Sequence, residues 1–195
     1  HYSGIGGSKM KHIPNVLLVE GSNDKSFFEN LCKKYNLNVQ VKVKNPRDLL
    51  TTQGVFNSKR GVIDSLEELL PLLEDEDSAI KKIAIILDAD ITGENNGGFK
   101  DTMEQIKAKT KKHGYNEKHI YLNKGVEIPH SDKGMNSIGV WIMPDNKSDG
   151  TIEDWIKSKI LSSETTLFNH ACRTVHELTN KKFSQNSIAK AEIAT

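Results

Sequence analysis

The sequence predicts an α/β fold with a mainly parallel central sheet flanked by helices, and three features point to it. The stretch Lys82-Ile83-Ala84-Ile85-Ile86-Leu87-Asp88-Ala89-Asp90 drives a continuous apolar run into two carboxylates. Such a short isoleucine-rich run is the pattern of a strand buried on both faces of a parallel sheet. Two more runs share its shape, Asn15 to Val19 before Glu20-Gly21, and Ile138 to Met143 before Pro144-Asp145-Asn146. Between the runs lie segments of helical periodicity, so the coarse order is βαβαβαβα with further helices behind it.

Taken in order, His1 to Ser8 is Gly- and Ser-rich without periodicity. Residues 1–10 are therefore expected to be a mobile tail or an expression remnant, with Met10 a natural start. The α/β domain is expected over residues 11–162, and residues 163–195 as its helical C-terminal extension. After the first strand, Ser22 or Asn23 is placed to cap a helix that carries Asp24 in its first turn and Phe27, Phe28, Leu31 and Cys32 on its buried stripe. Val39 to Lys44 alternates apolar and polar, as a strand at or near the sheet edge does, and Asn45-Pro46 ends it.

Val62, Ile63, Leu66, Leu69, Leu70 and Leu73 keep helical spacing, with Pro71 kinking or restarting that helix. The acidic run Glu74 to Asp77 reads as a solvated turn. Beyond the central strand, Ile91 to Gly98 holds three glycines and two asparagines, a flexible loop over the strand's end. Phe99 to His113 is an amphipathic helix stopped by Gly114, whose Lys107, Lys109, Lys111 and Lys112 form a solvated basic end or touch phosphates. His119 to Leu122 is a short strand, the segment to Lys133 an irregular excursion or small hairpin, and Thr151 to about Leu161 a helix. One helix follows from Ser163 to about Leu178, and another begins at Ser187. Trp141 reads as core, and Trp155 as packing its helix onto the sheet.

Lysine plus arginine number 27 against 26 aspartate plus glutamate, so bulk charge announces neither a nucleic-acid binder nor a membrane-surface protein. No apolar run approaches the roughly 20 residues of a spanning helix. The cysteines Cys32 and Cys172 lack metal-ligand spacing and read as two buried thiols, without excluding a disulfide. A cytoplasmic protein is expected. His170 and His176, six apart, do not share a helix face, which argues against a zinc pair. Gly4 to Gly7 has no strand before it, and Gly21 to Ser26 lacks the Gly-Lys pair of a phosphate loop.

In parallel sheets the ligand crevice lies beyond the carboxyl ends of the strands. Glu20, then Asp88 with Asp90, then Asp145 with Glu153 nearby, would gather along one sheet edge although spread over the chain. Carboxylates so gathered repel one another unless cations stand between them, and such hard oxygen donors suit Mg²⁺ or Mn²⁺.

These residues reach a family resemblance. An apolar strand, Glu20-Gly21, and a distant Asp88-x-Asp90-x-x-Gly93 resemble the TOPRIM domain of topoisomerases, bacterial primases, RNase M5 and OLD-family nucleases. Glu20-x-x-x-Asp24 and Gly150-Thr151-Ile152-Glu153 are similar to the OLD-type acidic motifs. The chain from Val16 through Trp155 also resembles a stand-alone TOPRIM-related family of unknown function, through Trp141 to Asn146 and Gly150 to Asp154. The resemblance implies a TOPRIM-like, Rossmann-like three-layer fold and phosphodiester chemistry on DNA or RNA. Glu20 would then be the general acid or base, Asp88 and Asp90 would hold Mg²⁺ or Mn²⁺, and Asp24 and Glu153 would bind the same or a second cation.

Thr92 stands where topoisomerase versions carry a further acid, and no domain that could supply a strand-passage tyrosine is present, so topoisomerase and complete primase are disfavoured. With no strong basic groove, a partner ATPase or other protein is expected to supply part of the nucleic-acid affinity.

Three other readings remain open. Ile85 to Thr92 also fits the first motif of haloacid-dehalogenase-like phosphatases, with Asp88 as nucleophile, Asp90 as general acid/base, and Asp145 and Asp149 as later metal acids. That motif normally ends the first strand of its domain, and it leaves Glu20 without a task. A receiver domain would need paired acids after the first strand. A TOPRIM fold that binds without cutting is separated from an enzyme only by activity.

Overall fold

The structure, a computed structural model, describes residues 15–43, 59–93, 97–116, 120–122, 125–183 and 187–194. The expectations for residues 1–10, for Asn45-Pro46 and for the middle of the loop after Asp90 lie outside the described residues.

The chain runs β1 (Asn15–Val19), α1 (Ser22–Lys34), β2 (Gln40–Val43), α2 (Lys59–Leu69), α3 (Pro71–Glu74), β3 (Lys82–Asp88) and α4 (Phe99–Lys111). It continues through β4 (Ile120–Leu122), β5 (Gly125–Ile128), β6 (Ile138–Met143), α5 (Ile152–Lys157), α6 (Thr165–Glu177) and α7 (Ile188–Ala194). Among the described residues the strands form one six-stranded sheet in the order β2-β1-β3-β6-β5-β4. The neighbours β2-β1, β1-β3 and β3-β6 are parallel, while β5 pairs antiparallel with both β6 and β4. The expected α/β class with a mainly parallel sheet is what the chain forms, and β2 is an edge strand as its alternation predicts.

Helices cover both faces. On one, Leu66 and Leu70 of the α2 segment and Met103 and Ile106 of α4 pack on Val16, Leu18, Ile83, Ile85, Leu87, Val140 and Ile142. On the other, Phe28 and Cys32 of α1 and Ile152 at the start of α5 pack on Leu17, Val19, Val41 and Met143. β1 is buried on both faces, as its unbroken apolar run predicts.

β3 and β6 depart from that expectation. Ile83, Ile85 and Leu87 are fully buried, but the alternate residues Ala84 and Ile86, like Gly139 and Trp141 of β6, are half-buried. The reason is cover: α1 lies over β1 and β2, and α5 is only six residues long, which leaves an apolar trough of about 430 Å³ between Phe28, Trp141 and Trp155.

Pro71 restarts the helix rather than kinking it, standing at the first turn of α3, where its missing N–H costs nothing. The excursion after Leu122 is a real strand, β5. The expected helix from Ser163 begins with a 3-10 turn, Ser162–Glu164, and continues as α6. Lys109 and Lys112 pair with Glu67, and Lys109 also with Asp64, so the basic end of α4 ties it to α2. Both cysteines are free; Cys32 is buried and Cys172 is only half-buried. Trp155 meets Phe27 edge-on at 6.0 Å, packing α5 against α1. Among the described residues no helix is long and apolar enough to cross a membrane.

Candidate active site at the ends of β1 and β3

The sheet order fixes where a site can form. From β1 the chain passes outward to β2 by way of α1 on one face, then returns across β1 to β3 by way of α2 on the other. Connections that leave adjacent parallel strands toward opposite faces open a crevice at their carboxyl ends. Glu20 follows the last residue of β1 and Asp88 is the last residue of β3, so both stand in that crevice.

The two are joined directly. The Asp88 main-chain N–H donates to Glu20 Oε1 at 2.8 Å, and the Ile152 N–H, at the start of α5, donates to Asp88 Oδ1 at 2.8 Å. These bonds favour the ionised forms, but burial outweighs them. Withdrawal from water, with the charge of Asp90 adding to it, pushes Glu20 up to about 7. Burial first, then the neighbouring Glu20 charge, pushes Asp88 up to about 8, with Asp24 and Glu153 acting in the same direction.

Asp24 and Glu153 enter on helix starts. Asp24 Oδ2 accepts the Gly21 N–H at 2.9 Å, completing the first turn of α1. Burial raises its pKa, and Glu153 adds to the rise. Glu153 is 8 % exposed in the first turn of α5, its Oε1 3.9 Å from Lys190 Nζ of α7. The C-terminal extension thus brings a cation to the acidic edge, a contact that the sequence did not disclose.

Asp90, whose charge acts on Glu20, has its own set of partners. Its backbone is left-handed, φ +60°, a region that Asp tolerates better than most residues. Two main-chain bonds hold it there, from the Asp90 N–H to the Gly150 carbonyl at 2.9 Å and from the Gly150 N–H to the Asp90 carbonyl at 3.0 Å. Gly150 has φ +136°, and a Cβ there would stand 2.8 Å from Asp154 Oδ2, so this junction requires glycine. The Asp90 carboxylate meets Lys59 Nζ at 2.5 Å.

The structure does not bring Asp145 to this group. Its carboxylate closes a local turn, accepting the Lys147 and Ser148 N–H groups at 3.0 and 2.7 Å and the Ser148 hydroxyl at 3.0 Å. Those bonds, Ser148's first, hold its carboxyl below the usual range. Asp149 does more than its sequence context suggested. It accepts the Thr92 hydroxyl and N–H and the Phe99 N–H, fastening the loop after Asp90 to the start of α4.

Two residues escaped the sequence reading: Lys59, whose partners lie 30 or more positions away, and Lys190, in a helix of seven residues. Neither has a local signature. Among the described residues no three acidic, histidine or cysteine side chains form a ready-made metal cage.

Fold and site together define an α/β protein with a half-buried pair of carboxyls at the switch point of a mainly parallel sheet. Residues 14–195 match the family described as "Protein of unknown function (DUF3226)", and the chain belongs to that family. No curated protein and no solved structure matches it.

Proposed function

We propose that this chain is a cytoplasmic, TOPRIM-like, divalent-metal-dependent enzyme that cleaves or otherwise processes nucleic-acid phosphodiesters. The observation that carries the reading is the Glu20–Asp88 pair: two carboxyls at adjacent strand ends, both withdrawn from water and both titrating far above their ordinary range. Structural acids are normally paired or solvated, and a raised pair in a crevice marks a candidate for a working site.

The donor set fits Mg²⁺ or Mn²⁺. Every candidate ligand is a hard oxygen, and Mg²⁺ keeps several waters while using one or two carboxylates, so a complete protein cage is not required. Asp88 and Asp90 would hold the ion, with Asp24 and Glu153 beside them for the same or a second one. Bound there, the ion would supply charge stabilisation at the reacting phosphate. Glu20, titrating near neutrality, is suited to take a proton from an attacking hydroxyl or give one to a leaving oxygen. Ile152 N–H and Asp88 N–H orient the two carboxyls for these roles. A net charge of +1 gives little attraction to a polyanion, so a partner ATPase or other protein is proposed to contribute affinity.

The test is a Mn²⁺ and Mg²⁺ titration by calorimetry on wild type and Asp88→Asn, with nicking of supercoiled DNA and cleavage of structured RNA assayed on the same samples. Binding and cleavage that are both lost in the variant support the proposal. A phospho-aspartate trapped on wild type would favour the haloacid-dehalogenase-like reading, and wild type without metal binding would sink the proposal.

A further inference from the structure

Lys59 opens α2, and its side chain is only 11 % exposed although its partner Asp90 is 47 % exposed. An ammonium has three protons to donate. Nζ has three oxygen partners: the Asp90 carboxylate at 2.5 Å, the Ala89 carbonyl at 2.9 Å and the Thr102 hydroxyl at 3.3 Å. Two of these belong to the strand-end segment and the third to α4, so the nitrogen sits in a socket built from two elements. Its charge reaches further, lowering the pKa of Glu20 and of Asp149.

We infer that Lys59 is a tethered counter-cation that holds Asp90 and must yield it when a divalent cation binds. The inference rests on the metal-dependent reading above. A carboxylate oxygen engaged by an ammonium at hydrogen-bond distance is a poorer ligand, because binding a second cation brings two positive charges together. Ala89 and Thr102 keep the displaced ammonium beside the crevice, where it is placed to meet a phosphate oxygen. Lys59 therefore sets metal affinity and couples metal occupancy to a free positive charge at the substrate.

The experiment is Mn²⁺ titration by calorimetry on wild type, Lys59→Met and Thr102→Val, with circular dichroism confirming that each is folded. Lys59→Met is expected to bind Mn²⁺ about fivefold more tightly, the equilibrium equivalent of a partly exposed ion pair removed. Thr102→Val, which keeps the lysine and removes one anchor, is expected to gain about twofold. Cleavage by Lys59→Met at saturating Mn²⁺ is expected to fall at least tenfold.

Affinity that is unchanged or weaker in folded Lys59→Met overturns the inference while leaving the metal-dependent function standing. Failure of both proteins to bind overturns the functional proposal itself, a result distinct from failure of the competition alone.

Discussion

Two tiers of carboxylates stand at the same edge of the sheet and behave oppositely. In the inner tier, Glu20 and Asp88 are joined through one main-chain N–H and withdrawn from water, and both are raised, to about 7 and about 8. In the outer tier, Asp145 and Asp149 accept several N–H and hydroxyl donors each and are held below the ordinary range. Hydrogen-bond donors and solvent make the outer acids comfortable as anions and give them architectural work. The inner pair has few donors and little solvent, and it keeps its protons to higher pH than ordinary carboxyls do.

The largest effect expected from breaking this contrast is on chemistry. Glu20→Gln keeps an acceptor for the Asp88 N–H and removes the titrating group, so metal-dependent cleavage should fall by about 10² to 10⁴-fold, with retained Mn²⁺ binding read by calorimetry.

The next is on stability. For Glu20 and Asp88 the folded pKa lies above the unfolded value, so the folded state binds more protons between about pH 4 and pH 8. Their contribution is therefore fully present below pH 4 and is lost as pH rises through 7 and 8. Metal-free protein should melt at lower temperature at pH 8.5 than at pH 5.5, and Asp88→Asn should flatten that slope. At pH 8 the variant should gain about 2 kcal/mol, or about 4–8 °C in Tm. A Tm that rises from pH 5.5 to 8.5 would contradict the raised pair.

Smaller effects belong to the outer tier. Asp149→Ala frees the Thr92 and Phe99 N–H groups and should lower the chemical-denaturation midpoint, with weaker Mn²⁺ binding as Asp90 loses its support. Asp145→Ala opens one exposed turn and should cost about 0.5–1 kcal/mol while leaving Mn²⁺ affinity unchanged. A loss of metal affinity in Asp145→Ala would return that residue to the site.

Much of this fold is legible because buried strands leave long apolar runs. Asn15 to Val19 and Lys82 to Asp88 are such runs, and the acids that end them mark the crevice without any knowledge of pairing. Gly125 to Ile128 leaves no comparable trace: it is short, begins with glycine and includes Glu127, and only its pairing with β4 and β6 makes it a strand. Strand-end position alone could not sort the acids, since Asp145 and Asp88 look alike at that level. The spacing of Asp145 and Ser148 was the local clue that the first would be spent on a turn. Lys59 had no clue, because a socket assembled from Ala89, Asp90 and Thr102 exists only once the sheet and α4 are in place.

The paired main-chain bonds between Asp90 and Gly150 carry a consequence for how the crevice opens. They splice the loop after β3 to the loop before α5, with Asp149 adding a second stitch through Thr92 and Phe99. Asp90 and Thr92 on one side of the rim and Asp149 and Gly150 on the other are thus tied to each other rather than independent. In hydrogen-exchange experiments the amides of Asp90 and Gly150 should exchange together, at one rate set by the opening of the whole rim.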